Sequence, residues 1–282
     1  MANSYTNLIT FILTTLFYYV ALKPNQTLET LSDTSKYTNF ISSNYLYLAI
    51  YLLLVMIIQF IVNSSIIANT CGGNITENMG AAGVLTFLPW TLIFGVLVVI
   101  LTIYPGFKSA FSDVVGYYYV SSSANKLLTE LLINQDVDNK MSNDPNLTPE
   151  KKAALESAAD AIIKIFGNNS ILINQIVPSN FDQYWSILKP LMKDKYQIDG
   201  AETQQMQNNL FELVVTRDNV GEAMWYIYTG LLLTSIVQLK ITTRGCTTNP
   251  KVMEANYQKF LEQEQKAREE KEKSTMTYTI TG

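Results

Sequence analysis

Few residues in this chain have the types and spacing that enzyme chemistry requires. The sequence contains no histidine, which removes the commonest general base near neutral pH and the commonest metal ligand. Ser121, Ser122 and Ser123 could offer a nucleophilic hydroxyl, but there is no histidine to activate it. The sequence therefore predicts a protein that is not an enzyme, and we expect no cofactor.

Metal binding has little support in the sequence. Asp136, Asp138, Asn143 and Asp144 have the composition of a calcium-binding loop. They lack the D-x-[DN]-x-[DN]-G spacing and the terminal glutamate of such loops, so a solvated loop is the better interpretation. Two cysteines are too few for a structural zinc site. We therefore predict no metal site.

The two cysteines could form a disulfide instead. Cys71 follows one apolar stretch and Cys246 follows the last one. With four membrane spans, both cysteines would lie on the same face of the membrane, a few residues beyond a helix end. A Cys71–Cys246 disulfide would tie the C-terminal helix to the central hairpin. Two free thiols are the alternative, which a reducing compartment would favour.

The central apolar stretches predict membrane-spanning helices. Between Tyr37 and Phe107 the only charged residue is Glu77. Inside this region, residues 45–67 and 81–104 form two apolar cores that show no polar stripe. A hydrocarbon core about 30 Å thick needs roughly 20 helical residues. Both stretches are therefore long enough to cross a bilayer.

Two further stretches predict a span near each end of the chain. Residues 5–22 are uncharged and rich in Thr, Phe and Tyr, with an interfacial helix as the alternative to a span. Residues 223–239 are near the lower length limit for a span, and the alternative is a core helix of the water-facing region. We thus expect a mainly α, multi-span membrane protein with three to four spans.

Charge divides the chain into regions. Only 16% of the residues are charged, against about 25% in soluble proteins. Residues 1–107 form the membrane region, 108–222 an extramembrane helical region, and 240–282 a charged C-terminal tail. The net charge is −4 and no basic block precedes the tail, so nucleic-acid binding is not expected.

The predicted spans contain no ionisable side chain. Gln59, Asn63 and Gln238 are their main polar groups, and interhelical hydrogen bonding is the expected role of these side chains. Ion- or proton-coupled transport needs ionisable groups at membrane depth and is therefore disfavoured. A small passive channel or carrier-like protein, acting as a homo-oligomer, remains the alternative function.

The C-terminal tail carries one short apolar stripe on an otherwise charged helix. Tyr257, Phe260 and Leu261 belong to this stripe. No heptad pattern continues beyond Leu261, which argues against a long coiled coil. The stripe could contact a partner protein, and a projecting charged helix is the alternative.

Two stretches of the sequence resemble a known family. One reads YPGFKSAFSD over 104–113 and continues as VVGY to Tyr117. The other reads TRDNVGE over 216–222, followed by Trp225-Tyr226, by a Thr-Gly pair and by Cys246. Together they resemble multi-span membrane proteins of large icosahedral DNA viruses of the nucleocytoplasmic group. The resemblance covers roughly 80–120 and 215–246.

The resemblance implies a non-enzymatic role. Such proteins are minor capsid components that sit in the internal virion membrane and anchor it to the capsid shell. It implies the lipid bilayer and capsid or other coat proteins as partners. It also implies location in the internal membrane of a virion, and in host endomembranes during assembly.

The resemblance also implies roles for residues at the start of the last span. Trp225 and Tyr226 would anchor the helix at the membrane interface. Arg217, Asp218 and Glu222 would form a charged collar, pairing with one another or with a capsid neighbour. The alternative is an ordinary helix end whose charged side chains reach the headgroups.

Overall fold

The computed structural model describes residues 4–71, 74–132, 169–243 and 250–274. These residues are almost entirely helical. The one strand-like feature among them is an isolated antiparallel bridge between Leu132 and Met192. The residues with calcium-loop composition, and Cys246, lie outside the described residues.

The helices of the N-terminal, apolar part follow one another with short connections. They are α1 (Ser4–Phe17), α2 (Leu28–Ser32), α3 (Thr34–Cys71), α4 (Ile75–Pro89) and α5 (Val96–Ile103). A π-helical turn, Tyr18–Leu22, continues α1.

The helices of the second part differ greatly in length. They are α6 (Ser109–Phe111), α7 (Tyr117–Leu131), α8 (Asn169–Gln175), α9 (Phe181–Leu188), α10 (Asp194–Gln197), α11 (Ala201–Thr243) and α12 (Pro250–Ser274), numbered over the described residues.

Four helical segments are long and apolar enough to cross a membrane. They are Tyr5–Leu22, Thr34–Cys71, Ile75–Ile103 and Ala201–Thr243. The prediction of a mainly α, multi-span membrane protein is confirmed. The last of these helices also extends far beyond the apolar stretch 223–239, because residues 201–222 are helical as well.

The helix around the second apolar stretch starts well before position 45, because α3 begins at Thr34 and includes the polar residues that precede the stretch. The side chain of Asp33 explains this start. Its Oδ1 accepts hydrogen bonds from the backbone N–H of Ser35 at 2.8 Å and of Lys36 at 3.1 Å. It therefore satisfies two of the N–H groups that a helix start leaves unpaired.

A proline interrupts the third apolar segment. Helix α4 ends at Pro89, and a π-helical segment, Trp90–Gly95, connects it to α5. Proline lacks a backbone N–H, and its ring clashes with the preceding turn. A π-helical insertion is one of the common ways in which a helix accommodates such a break.

The chain divides into two compact units, and each can be described separately. The first comprises residues 1–11, 54–92 and 231–282. It contains a buried polar contact: Asn63 accepts a hydrogen bond from Asn7 Nδ2 at 2.7 Å and donates one to Thr86 Oγ1 at 2.8 Å. Asn63 thereby joins α1, α3 and α4, which is the interhelical role expected for it.

The second unit comprises residues 12–53 and 93–230 and contains a separate hydrophobic core. We call the part formed by residues 117–132 and 169–215 the head. Helix α7 supplies one wall of its core, with Val120, Ala124, Leu128 and Leu131 at helical spacing. The other walls come from α8, α9, α10 and the first half of α11. The head is therefore a folded helical domain.

Candidate functional site

Four charged side chains from three parts of the second unit meet in what we call the charged cluster. Lys23 follows the end of α1, Lys108 follows α5, and Asp218 and Glu222 lie one turn apart on α11. Glu222 Oε1 lies 2.6 Å from Lys23 Nζ, and its Oε2 lies 2.6 Å from Lys108 Nζ. Lys108 Nζ also lies 3.1 Å from Asp218 Oδ2. A single carboxylate therefore joins two lysines that are remote in sequence.

The charged cluster is largely shielded from solvent. The side chain of Glu222 is 9% exposed, and that of Lys23 is 11% exposed. Burial lowers the pKa of Lys23, and Glu222 offsets this only in part. Burial also acts to lower the pKa of Lys108, but the charges of Glu222 and Asp218 outweigh it and raise that pKa. The lysine with two carboxylate partners is therefore the more strongly held cation.

A tyrosine completes the coordination of Glu222. Tyr19 Oη donates a hydrogen bond to Glu222 Oε1 at 3.0 Å. The carboxylate thus accepts from three donors, two at the end of α1 and one after α5. With its charge neutralised by two lysines, it is suited to hold helices together rather than to accept a proton from a substrate.

Arg217 lies outside the charged cluster, which differs from the collar that the resemblance implied. Arg217 is 0% exposed. Its Nη1 donates to the carbonyl oxygen of Ile173 and, at 3.3 Å, to Asn174 Oδ1. Its Nε and Nη2 have no hydrogen-bond partner. Asp218 and Glu222 share one face of α11 because they are four residues apart, whereas Arg217 points toward the head.

The two aromatic residues expected at the membrane interface have different surroundings. Tyr226 is 1% exposed and packs inside the protein, with ring centroids 5.6 Å from Tyr51 and 5.5 Å from Phe94. It is therefore part of the interior and not an interfacial anchor. Trp225 is partly exposed, and its Nε1 donates to the carbonyl oxygen of Phe107 at 2.9 Å.

Two glycines allow α11 to approach the segment between α5 and α7. A Cβ added to Gly221 would lie 2.6 Å from Ser112 Cβ and 2.7 Å from Ser112 N. A Cβ added to Gly116 would clash with the carbonyl oxygen of Arg217. These distances are far below van der Waals contact, so both positions require glycine at this approach.

The two stretches that carry the family resemblance pack against each other. Lys108 pairs with Asp218 and Glu222 across them, as described above. The ring of Phe111 lies 5.0 Å from that of Trp225 in an edge-to-face arrangement. The two glycine approaches are also formed between these stretches. Residues 107–116 and 216–226 therefore form one structural module.

Sequence reasoning missed the lysine partners of the acidic residues. The sequence did contain a signal for this pairing. Lys23 and Lys108 each follow an apolar stretch, and Asp218 and Glu222 precede the last apolar stretch. A count of membrane crossings puts all of these positions on the same face. Single charges at the same membrane level are natural partners, because an unpaired charge there is costly.

The remaining predicted site residues lie in the first unit. Tyr257 is 61% exposed and Phe260 is 60% exposed on α12, and Leu261 is partly buried. Cys71 is disulfide-bonded. Its predicted partner, Cys246, lies outside the described residues, so the pairing stays a prediction.

Comparison with family models, with curated proteins and with solved structures finds no match to this chain.

Proposed function

We propose that this protein is a structural membrane protein that anchors a membrane to an overlying protein coat. The observation that carries the proposal is the construction of the second unit. A folded head shares the continuous helix α11 with an apolar stretch, and the charged cluster ties that helix to the ends of α1 and α5. A firmly braced head is what a mechanical anchor needs.

Four membrane crossings would assign the parts of the chain to two faces. The head would lie on the face where α1 ends and α5 ends. Cys71 and the tail helix α12 would lie on the opposite face. The coat contact is accordingly assigned to the head, and the exposed apolar stripe of the tail is assigned to a partner on the other side of the membrane.

The head exposes large side chains that suit a protein contact. Tyr118 is 83% exposed and Tyr119 is 70% exposed on α7, and Ile198 is 73% exposed after α10. Exposed tyrosines are favoured in protein interfaces, because they bury a large area at a low entropic cost. These residues are therefore our candidates for the surface that contacts the coat.

We propose further that the coat is the capsid shell of a large icosahedral DNA virus and that the membrane is the internal virion membrane. The sequence resemblance supports this assignment. The packing of the two resembling stretches into one module adds to this support. Residues that pack together can be kept as one pattern although they are far apart in the sequence. The module also contains the residues that brace the head.

Crosslinking mass spectrometry on the native membrane or particle tests the proposal. Lys126 and Lys195 are exposed on the head, whereas Lys259 and Lys266 are exposed on the tail helix. We expect the head lysines to crosslink to coat proteins in a fixed ratio and the tail lysines to crosslink to different proteins. Crosslinks confined to copies of this chain, in membranes without a coat, would contradict the proposal and favour a homo-oligomeric channel.

Substitution of the head tyrosines gives a second test. Tyr118→Ser together with Tyr119→Ser should weaken association with the coat while leaving membrane insertion unchanged. Tyr257→Ser is the control, because it removes an exposed tyrosine from the tail. If the tail substitution reduced coat association as much as the head substitutions, the assignment of the head to the coat would be wrong.

A further inference from the structure

A cavity of about 390 Å³ lies in the second unit beside the charged cluster. Residues near the head-side ends of all four candidate spans contribute to its wall, among them Lys23, Leu48, Leu101 and Tyr226. In a bilayer, these helix ends would lie at the level of the lipid headgroups on the head side of the membrane.

One side of the cavity wall carries a cation with unused hydrogen-bond donors. Arg217 lines the cavity and is 0% exposed, yet its Nε and Nη2 have no partner. A buried guanidinium with two unpaired nitrogens is costly unless an acceptor reaches them. Two neighbouring donors in one plane match two oxygens of a phosphate group.

Besides Arg217, the wall contains one acidic residue that lies outside the charged cluster. Lys23 and Lys108 are paired with Glu222 and Asp218 within the charged cluster. Asp113 also lines the cavity; it makes no salt bridge among the described residues, but its charge acts on Arg217. The wall therefore has one guanidinium and one carboxylate outside the charged cluster.

A second unsatisfied group has the opposite hydrogen-bonding character. Asn44 lines the same cavity, and its buried Oδ1 has no hydrogen-bond partner. The cavity thus offers acceptors, on Asn44 and Asp113, as well as the donors of Arg217. A ligand that carries both a phosphate and an ammonium group would satisfy both sets.

The wall also has an apolar side that a free phosphate compound would not use. Phe40, Ile41, Leu48 and Leu101 belong to it. All four lie within segments that are apolar enough to span a membrane. An acyl chain attached to the ligand can lie along these side chains.

We propose that this cavity binds the headgroup of a zwitterionic phospholipid, with its phosphate on Arg217 Nε and Nη2. The ammonium group faces the acceptors of Asn44 and Asp113, and the first part of an acyl chain lies along the apolar side. The bound lipid fills the gap between the spans and the head, so the anchor incorporates a lipid of the membrane that it holds. The site does not depend on the identity of the coat.

Thermal unfolding of the delipidated, full-length protein in detergent tests the site. We would titrate it with dioleoylphosphatidylethanolamine, with dioleoylglycerol, with glycerophosphoethanolamine and with inorganic phosphate. We expect a concentration-dependent rise in Tm with the phospholipid alone, since a ligand that binds only the folded state stabilises it. Equal rises with dioleoylglycerol would mean that the apolar side alone binds, and equal rises with either soluble phosphate compound would mean that no lipid is required. Either result, or no rise at all, would overturn the proposal.

A matched pair of arginine substitutions connects the effect to the cavity. Arg217→Gln should weaken phosphatidylethanolamine binding about tenfold or more, as expected for loss of charge-assisted hydrogen bonds. Arg268→Gln removes an exposed arginine from the tail helix and should leave binding unchanged. Equal binding by both variants would assign the lipid to another place. If Arg217→Gln does not fold, the titration of the wild-type protein still decides the proposal.

Discussion

Glu222 Oε1 lies 2.6 Å from Lys23 Nζ, although the two residues are 199 positions apart in the chain. The second oxygen of the same carboxylate holds Lys108. One side chain therefore fastens α11 to the end of α1 and to the end of α5. This explains why an acidic residue directly precedes the last apolar stretch, where an unpaired carboxylate would be costly.

Replacement of Glu222 by glutamine should strongly destabilise the protein. The amide keeps the shape of the side chain but carries no charge, so Lys23 loses its carboxylate partner and Lys108 keeps only Asp218. Removal of one partner from a buried ion pair costs about 3–5 kcal/mol. We expect a loss of that order in the free energy of unfolding, measured by SDS titration of the purified protein in bicelles.

Glu29→Gln is the matched control for the Glu222 substitution. Glu29 pairs with Lys36, but its side chain is 75% exposed and that of Lys36 is 50% exposed. Exposed ion pairs contribute little because water screens them. The control should unfold close to the wild type, and a similar loss in both variants would show that Glu222 has no special bracing role.

The apolar stretches made the spans and the fold class predictable, because length and hydropathy alone decide whether a helix can cross a bilayer. The pairing of Glu222 with Lys23 was harder to foresee, because it depends on which helix ends meet. Tyr226 illustrates the same limit. Its position at the start of an apolar helix suits an interface, but the rings of Tyr51 and Phe94 enclose it. Interior packing between distant segments overrides a positional preference.

Replacement of Gly221 by alanine should loosen the module formed by the two resembling stretches. The new Cβ would lie 2.6 Å from Ser112 Cβ and 2.8 Å from Ser112 Cα, so α11 would have to move away. Overpacking of this kind costs about 1–3 kcal/mol. The free energy of unfolding should fall by that amount in the same SDS titration.

The Gly221 substitution has an internal control and a rescue that should fail. Gly80→Ala adds a Cβ that meets nothing within 4 Å in α4, so it should be neutral or slightly stabilising. Ser112→Gly should not rescue Gly221→Ala, because the clash with the backbone N and Cα of residue 112 remains. Full rescue would mean that only the side chains are in conflict and that the helix approach is looser than described.

Replacement of Asn63 by leucine should weaken the first unit. Leucine has a similar volume but can neither accept from Asn7 nor donate to Thr86, so both partners lose a hydrogen bond in an apolar setting. We expect a cost of about 1–2 kcal/mol in the free energy of unfolding. Ser64→Ala is the control, since Ser64 Oγ donates only to the carbonyl of Phe60 in its own helix. A larger loss for Ser64→Ala than for Asn63→Leu would contradict the bridging role of Asn63.

The bonded state of Cys71 leads to a prediction about Cys246. Because the sequence contains only two cysteines, an intramolecular disulfide must join them, and four crossings would put both on the same membrane face. Non-reducing proteolysis and mass spectrometry should therefore yield one linked peptide that contains Cys71 and Cys246. Cys71→Ser and Cys246→Ser should each lower the free energy of unfolding by about 2–4 kcal/mol. The double variant should lose no more than either single variant, because all three lack the same bond. A disulfide-linked dimer on a non-reducing gel, which disappears in each single variant, would instead show that the bond joins two copies of the chain.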